Sequence, residues 1–386
     1  MGSRDVTNLA HAVWIGTYPG AGAGTPSGLG EGIWRVELDV ATGSLTGAVL
    51  AATSPAPSFV ATHPGGRVIY AVGEQAAGTV TAFAAGRDGA LGALAVVSSG
   101  GGDPCHLLLA PDARTLYVAN YATGTLGVLS LDVDGAFARD TIAAGGPVQV
   151  LTHTGSGPDA VRQAGPHAHF AALAPGGVHL LVADLGTDEL RRYRVGADGR
   201  LAPDGIAATL PPGTGPRHLV VGTGSGGRPE LIYVVGELDA TVRVLCWDHA
   251  SATAALAQTL PVTRAPRRSG AQVCPAHVVL DAGRLLVSVR GADVVAAFAV
   301  DPVTGLLEPA GEVDAGGSGP RHFALLDGTA VVADQLSGNL AALRVTGWPA
   351  AAAELAGSVV IPAPACVVPV VDERRRRRVR DNDPSR

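Results

Sequence analysis

Short apolar runs, separated by glycine, proline and aspartate, recur along almost the whole chain in groups of three. They are rich in valine, leucine and isoleucine, which favours strands over helices. The first run of a group opens on proline and carries histidine or phenylalanine two positions later. These openings are Pro57-Ser58-Phe59, Pro104-Cys105-His106, Pro216-Arg217-His218, Pro275-Ala276-His277 and Pro320-Arg321-His322, with His167-Ala168-His169 as a longer variant.

A second and a third apolar run follow each opening. The second runs span residues 69–73, 116–120, 180–184, 232–237, 285–290 and 330–334, and the third runs span 79–83, 125–131, 190–195, 241–246, 294–300 and 339–345. Turn signals such as Asp88-Gly89 end the third runs and lead into a short outer strand. Each group therefore predicts one four-stranded antiparallel sheet, and no helix is expected.

The repeat length predicts how many such sheets the chain contains. The separations between Phe59, His106, His169, His218, His277 and His322 average about 53 residues, against about 40–50 residues for known propeller blades. The two widest separations contain segments 143–165 and 249–271, which are expected to be loop-like insertions. The chain of 386 residues then holds seven repeats, so the predicted fold is an all-β, seven-bladed β-propeller.

The seventh repeat is split between the two ends of the chain. Residues 12–18 and Gly32–Asp39 have the character of a second and a third run, but no opening run precedes them. Residues 364–370 repeat the opening pattern, with Cys366 in the place of histidine. The C-terminal strand is therefore expected to pair with the N-terminal strands and close the ring, which removes exposed sheet edges. Residues 1–371 are expected to form a single domain.

The composition is that of a globular chain with a large core, since 47% of residues are hydrophobic and 16% are charged. The net charge of −6 predicts no binding to nucleic acid or to membranes. No segment has the apolar length of a membrane span, and the four cysteines lack metal-site spacing, so a reducing, cytoplasmic location is expected. The arginine-rich segment 372–386 is expected to be a disordered basic tail, and a nucleic-acid contact is the weaker alternative.

In a meander of this kind, the start of the first strand and the end of the second strand lie on the same face, near the central axis. Polar residues collect at both positions. The first position carries His106, His167, His169, Arg217, His218, His277, Arg321 and His322, and the second carries Glu74, Asn120, Tyr121, Asp184, Glu237, Arg290 and Asp334. The sequence therefore predicts a polar binding site at one mouth of the channel.

Each candidate also has a structural interpretation. His106, His218, His277 and His322 occupy a repeated position and could simply bond between blades, whereas His167 and His169 break the spacing. Asp184 and Asp334 could cap turns. Glu237 could form a salt bridge between blades or act as a base, and Arg217 and Arg290 could pair with it or receive an anion. No metal and no cofactor are predicted, because the chain has no metal-ligand cluster beyond His167-x-His169 and no nucleotide-binding or serine-esterase motif.

Several of these motifs together resemble the lactonase family of seven-bladed propellers, which includes cycloisomerase-type 6-phosphogluconolactonases and fungal carboxymuconate cyclase. The motifs are Gln163-Ala-Gly-Pro-His-Ala-His169, Gly215-Pro-Arg-His218 with Gly236-Glu-Leu-Asp-Ala-Thr-Val242, Val118-Ala-Asn-Tyr121, Val289-Arg-Gly291 and Gly319-Pro-Arg-His-Phe323. The resemblance implies a cofactor-independent activity on a sugar-type lactone, with site residues at His167 or His169, Arg217, Glu237 and Arg290. The family usually has asparagine where this chain has Val289.

The resulting hypothesis is hydrolysis of a small anionic lactone by a protein that is monomeric or a weak homodimer. Glu237, His167 or His169 would take a proton from water, and Arg217 and Arg290 would hold the anionic group or the oxyanion. Further contacts to the substrate are expected from Asn120, Asp184, His218, Arg321 and His322. The alternatives are ring opening or closure of a muconate-type diacid by the same groups, and a propeller that binds a partner without catalysis.

Overall fold

A computed structural model describes residues 10–18, 32–222, 229–268, 270–349 and 352–371. In these residues, 28 strands form seven four-stranded antiparallel sheets arranged as the blades of a propeller. The first blade joins both ends of the chain. Its strands, from the axis outward, are β28 (Pro364–Pro369), β1 (Ala10–Thr17), β2 (Gly32–Asp39) and β3 (Ser44–Thr53). The predicted fold and the predicted closure by the C-terminal strand are both confirmed.

The other six blades follow in chain order, each built from the axis outward. Blade two contains β4 (Val60–Thr62), β5 (Val68–Gly73), β6 (Thr79–Ala85) and β7 (Leu91–Ser98). Blade three contains β8 (Pro104–Leu109), β9 (Thr115–Asn120), β10 (Thr125–Ser130) and β11 (Gln149–Thr152). Blade four contains β12 (Ala168–Leu173), β13 (His179–Asp184), β14 (Glu189–Val195) and β15 (Leu201–Thr209).

The last three blades have the same order of strands. Blade five contains β16 (Pro216–Gly222), β17 (Leu231–Gly236), β18 (Thr241–Asp248) and β19 (Thr253–Pro261). Blade six contains β20 (Cys274–Asp281), β21 (Arg284–Arg290), β22 (Val294–Val300) and β23 (Leu307–Asp314). Blade seven contains β24 (Pro320–Leu326), β25 (Thr329–Asp334), β26 (Asn339–Arg344) and β27 (Glu354–Val360).

The two predicted insertions and the expected absence of helix need correction. Segments 143–165 and 249–271 contain the outer strands β11 and β19, so each is partly blade rather than loop. A short helix, α1 (Arg139–Ala144), precedes β11 and ends at Gly145 in the left-handed conformation. Six residues are too few to show a helical period in the sequence, which is why the pattern did not reveal it.

The hydrophobic core lies between neighbouring blades. The second and third strands of adjacent sheets pack face to face, as Val244 of blade five and Val287 of blade six do in one continuous cluster. Buried tyrosines of the second strands bridge to the next blade: Tyr117 Oη donates to the carbonyl of Gly199 at 2.9 Å, and Tyr233 Oη to that of Gly305 at 2.8 Å. These bonds satisfy the polar tip of a large buried ring and fix the spacing of the blades.

None of the described residues forms a helix that is long and apolar enough to cross a membrane. The arginine-rich segment 372–386, predicted to be a disordered tail, lies outside the described residues. The domain boundaries, the cytoplasmic location and the monomeric or weakly dimeric state stay predictions.

Candidate functional site

A β-bulge at the start of the first strand decides which side chains reach the channel. In blade three, Pro104 lies opposite Asn120 but His106 lies opposite Ala119, so one extra residue, Cys105, is inserted. The first strands of blades one, four, five, six and seven shift by one residue at the same place. Bulges re-aim side chains and are common beside active sites. In blades three, four, five and seven, the residue after the proline position lines the mouth of the channel.

This register corrects the equivalences expected for blade four. There, Ala168 lies opposite Asp184 and Phe170 lies opposite Ala183. Ala168 therefore occupies the proline position, and Phe170 occupies the position held by His106 in blade three. His169 corresponds to Cys105, Arg217 and Arg321, not to the repeated histidines. We call Cys105, His169, Arg217 and Arg321 the mouth layer, and Phe59, His106, Phe170, His218, His277 and His322 the inner layer.

Three of the residues expected at the ends of the second strands, Asn120, Asp184 and Asp334, need a similar correction of one residue. The residue opposite the proline position is Asn120 in blade three and Asp184 in blade four. Because side chains alternate along a strand, the next residue along is the one that lines the mouth. Those residues are Tyr18, Glu74, Tyr121, Glu237 and Arg290.

Asn120 and Asp184, predicted to contact the substrate, are not brought to the mouth. Asn120 Nδ2 donates to the carbonyl of Ser99 at 3.2 Å. Asp184 accepts the backbone N–H of His167 at 2.8 Å and pairs with the buried His153 ring. Both are fully buried. Each bonds to a residue that directly follows the outer strand of the preceding blade, Ser99 after β7 and His153 after β11, so each connects two neighbouring blades.

A cavity of about 370 Å³ occupies the mouth of the channel. It is lined by Tyr18, Glu74, Asp103, Cys105, Tyr121, Arg162, His169, Arg217, Glu237, Cys274, Arg290 and Arg321. Four arginines and three carboxyl groups therefore share one cavity. Five of the predicted site residues, Glu237, His169, Arg217, Arg290 and Arg321, meet there.

Glu237 lies at the centre of an arginine cluster. Its Oε2 is 2.9 Å from Arg290 Nη2 and 2.8 Å from Arg217 Nε, and its Oε1 accepts Arg162 Nη2 at 2.7 Å. Burial alone would raise the pKa of Glu237, but the charges of Arg290 and Arg217 outweigh it and hold the pKa well below its usual range. One carboxylate faces three guanidinium groups, so the cluster keeps two positive charges in excess.

Backbone geometry and an unfilled hydrogen bond set Arg290 apart within this cluster. Arg290 ends β21, and Gly291 follows it with a φ of +81°. A Cβ atom at Gly291 would collide with the carbonyl oxygen of Gln272, so the backbone turn after Arg290 requires glycine. Arg290 Nε is buried and has no hydrogen-bond partner within the described residues. It is a donor available to a ligand oxygen.

The two candidate histidines of the long opening have different surroundings. His167 is fixed by its Nδ1, which lies 2.8 Å from the carbonyl oxygen of Tyr121, and its ring stacks on that tyrosine. His169 lines the cavity, and its buried Nδ1 has no partner within the described residues. Burial and the charge of Arg217 hold the pKa of His169 well below its usual range, so its imidazole is neutral.

The predicted site residues His218 and His322 belong to the inner layer, below the cavity. Nδ1 of His218 is 2.9 Å from Nδ1 of His277, and the His277 ring stacks on His322 with 3.8 Å between centroids. His322 Nδ1 also accepts the backbone N–H of Val367 at 3.3 Å. Burial and the charges of neighbouring residues lower the pKa of His322 to about 3. These rings are neutral and pack on one another.

A second polar group lines the cavity in blade two. Glu74 accepts the Tyr18 hydroxyl at 3.0 Å, and it also accepts the Ser58 hydroxyl. Arg321 lies over the Tyr18 ring, 4.8 Å from its centroid. Burial raises the pKa of Glu74, against the opposing charge of Arg321. This carboxyl therefore differs from Glu237 in both its partners and its pKa.

Sequence reasoning missed several residues of the cavity, and the signals differ. Tyr18 could have been found by aligning the second-strand ends to the repeat, because Glu74 and Tyr121, which were expected at the mouth, hold the same position in their blades. Arg162 comes from the long connection between β11 and β12, which contains no strand, and its Nη2 also lies 3.3 Å from the Tyr121 hydroxyl. No positional pattern points to it.

Val289, the departure from the usual motif, does not line the cavity. It lies opposite Pro275, the position held by Asn120 in blade three, and packs in the core between blades five and six. No group of three or more His, Cys, Asp or Glu residues suited to a metal ion occurs within the described part of the chain, and the four cysteines are free thiols.

The sequence matches the family description "Lactonase, 7-bladed beta-propeller" over residues 12–369. The chain belongs to the lactonase family of seven-bladed β-propellers. Among its relatives, the 6-phosphogluconolactonase of Bacillus subtilis is 29% identical over 92% of this chain and 97% of its own length.

Solved structures of the lactonase family agree with this fold over nearly their whole length. The periplasmic gluconolactonase PpgL of Pseudomonas aeruginosa superposes with a TM-score of 0.79 at 27% identity, covering 94% of this chain and 99% of its own. A putative 6-phosphogluconolactonase from Bacteroides uniformis gives 0.78 at 27% identity, with the same coverage. The resemblance inferred from the motifs is confirmed.

Proposed function

We propose that this protein hydrolyses a lactone of a sugar acid, such as 6-phosphogluconolactone. Membership of the lactonase family and relatives named 6-phosphogluconolactonase and gluconolactonase support this proposal. The observation that carries it is the cluster of three arginines around Glu237, which shares a cavity with the neutral imidazole of His169. An excess of positive charge in a partly buried cavity suits an anionic substrate and a developing oxyanion.

Lactone hydrolysis requires a base that activates water and donors that stabilise the oxyanion. His169 is the better base of the candidates, because its imidazole is neutral and its Nδ1 is free of protein partners. Glu237 is held as an anion by Arg290 and Arg217, and both of its carboxylate oxygens already contact arginines. It instead orients the arginines, whose remaining N–H groups receive the substrate. A positioned base contributes about 10²–10⁴-fold in rate, and one oxyanion donor about 10²–10³-fold.

The expected loss on disrupting the cluster is large. Glu237→Gln and Arg290→Ala should each lower kcat/KM on 6-phosphogluconolactone by about 10²–10³-fold, measured as initial rates corrected for spontaneous hydrolysis. Asp239→Asn is a matched control, because Asp239 lies two residues further along, pairs with Arg243 and does not line the cavity. Its activity should stay within about twofold of wild type.

A substrate panel tests the proposal independently of the variants. It should contain 6-phosphogluconolactone, gluconolactone and a carboxymuconolactone, because the charge excess would also accommodate the two carboxylates of a muconate-type diacid. Preferred turnover of the carboxymuconolactone would replace the proposed substrate class with that alternative. Undiminished activity in both Glu237→Gln and Arg290→Ala, or no hydrolysis above buffer by the folded wild type, would refute the proposal.

A further inference from the structure

The cavity contains two glutamates at equivalent positions of different blades. Glu74 directly follows β5 of blade two, and Glu237 directly follows β17 of blade five. Blades two and five are three steps apart in a ring of seven, so the two carboxyl groups approach the cavity from nearly opposite sides of the axis. Both line it.

The residue that faces each glutamate within its own blade differs. In blade five, the residue after the proline position is Arg217, which pairs with Glu237. In blade two, it is Ser58, whose hydroxyl donates to Glu74. The residue after the proline position and the glutamate after the second strand therefore form a buried ion pair in blade five. In blade two, the same two positions hold a neutral hydroxyl donor and a carboxyl group. Two carboxyl groups in such different surroundings are suited to different roles: Glu237 holds the arginines as an anion, whereas Glu74 can carry a proton.

The remaining groups around Glu74 are Tyr18, Asp103, Cys105 and Arg321. Tyr18 donates to Oε1 of Glu74, while Arg321 is the cationic group on this side and Asp103 the other acidic one. Burial raises the pKa of the Cys105 thiol, so it stays uncharged. Burial and Asp103 favour the protonated form of Glu74, and Arg321 and the two hydroxyls oppose it; the net effect is a raised pKa.

We infer that Glu74 is a catalytic residue, the general acid that protonates the leaving ring oxygen of the lactone across the cavity from the arginine cluster. This inference rests on the proposed function. Water attacks the carbonyl carbon and its proton passes to Nδ1 of His169. The bond between that carbon and the ring oxygen then breaks, and the ring oxygen takes the proton of Glu74. His169 releases its proton to solvent, Glu74 regains one, and the product is the hydroxy acid.

The leaving group provides a sharp test. An aliphatic alkoxide needs a proton to leave, whereas a phenolate leaves without one. Glu74→Gln should therefore lower kcat on gluconolactone by about 10²-fold, and kcat on the aryl lactone dihydrocoumarin by less than about threefold. Glu237→Gln is the matched comparison, and it should impair both substrates equally, because the oxyanion forms in both reactions.

The pH profile on gluconolactone gives a second readout that a merely structural role would not change. An acid must carry its proton, so wild-type kcat should fall as the pH rises through the pKa of Glu74, and Glu74→Gln should lose that fall. Equal losses on the two lactones together with an unchanged profile would overturn the role of Glu74. If the wild-type protein does not hydrolyse the aryl lactone, the pH profile on gluconolactone alone tests the role of Glu74. No hydrolysis of either lactone by wild type would instead refute the proposed function.

Discussion

The mouth layer and the inner layer of the channel are one residue apart in sequence and differ in almost every physical respect. His169, Arg217 and Arg321 of the mouth layer line a cavity, where two of them are cationic and the neutral His169 has a ring nitrogen without a hydrogen-bond partner in the described residues. His106, His218 and His322 of the inner layer contact other rings and are held neutral. The bulge at the proline position separates the two sets. The residue type alone therefore does not distinguish a reactive histidine from a packed one; its register does.

The test with the largest expected effect replaces one histidine of each layer in two separate variants. His169→Asn should lower kcat by at least about 10²-fold, because it removes the proposed base. His106→Phe should leave kcat/KM within about threefold, because Phe59 and Phe170 already occupy the same position of neighbouring blades. Steady-state kinetics on gluconolactone, with circular dichroism to verify folding, measures both.

The reverse outcome would break the comparison. A folded His106→Phe variant with little activity, beside an active His169→Asn variant, would show that the inner layer takes part in the chemistry and that the mouth layer does not supply the base.

A smaller effect concerns stability against pH. Burial is the main cause that lowers the pKa of His106 and of His322 to about 3 in the folded protein, against about 6.5 when unfolded. The unfolded chain then binds more protons below pH 6.5, so stability falls as the pH drops from 6.5 toward 3. Each of these two histidines should lower the free energy of unfolding by about 2 kcal/mol between pH 7.5 and pH 5. Urea unfolding at the two pH values measures this change.

His106→Phe isolates one of these contributions. Its free energy of unfolding should fall less steeply than that of wild type over the same interval, by about 2 kcal/mol. Parallel curves for the two proteins would mean that His106 is not held neutral in the folded state.

The smallest expected effect lies at the rim of the mouth. The Arg162 side chain is 37% exposed, while Arg217 is 3% exposed, although both contact Glu237. Solvent weakens the interactions of a half-exposed charge. Arg162→Ala should therefore raise KM for an anionic lactone by about threefold to tenfold and leave kcat within about twofold. A collapse of kcat instead would place Arg162 among the groups that stabilise the transition state.

The repeat in the sequence predicted most of the fold and several residues of the site. The bounds of β2 and β22 and the pairing of β28 with β1 followed from apolar runs and turn residues. Glu237, Arg217 and Arg290 were grouped correctly because strand ends on one face of a propeller must meet at the axis.

What the sequence could not supply was the register at each bulge. A bulge inserts one residue without any change of composition, so His169 was aligned with the wrong repeat position and Asn120 and Asp184 were assigned to the mouth. Arg162 was missed for another reason. It approaches the cavity from a segment outside the repeat, and only the folded path of the chain brings its guanidinium within 2.7 Å of Glu237.

The closure of blade one by β28 also orders events during synthesis. About 310 residues separate Thr53, at the end of β3, from Pro364, at the start of β28. At typical elongation rates of about 5–20 residues per second, the first three strands emerge from the ribosome roughly 15–60 s before their inner neighbour. Throughout that interval β1 has an unpaired edge, which the nascent chain must shield from other polypeptides until the last strand arrives.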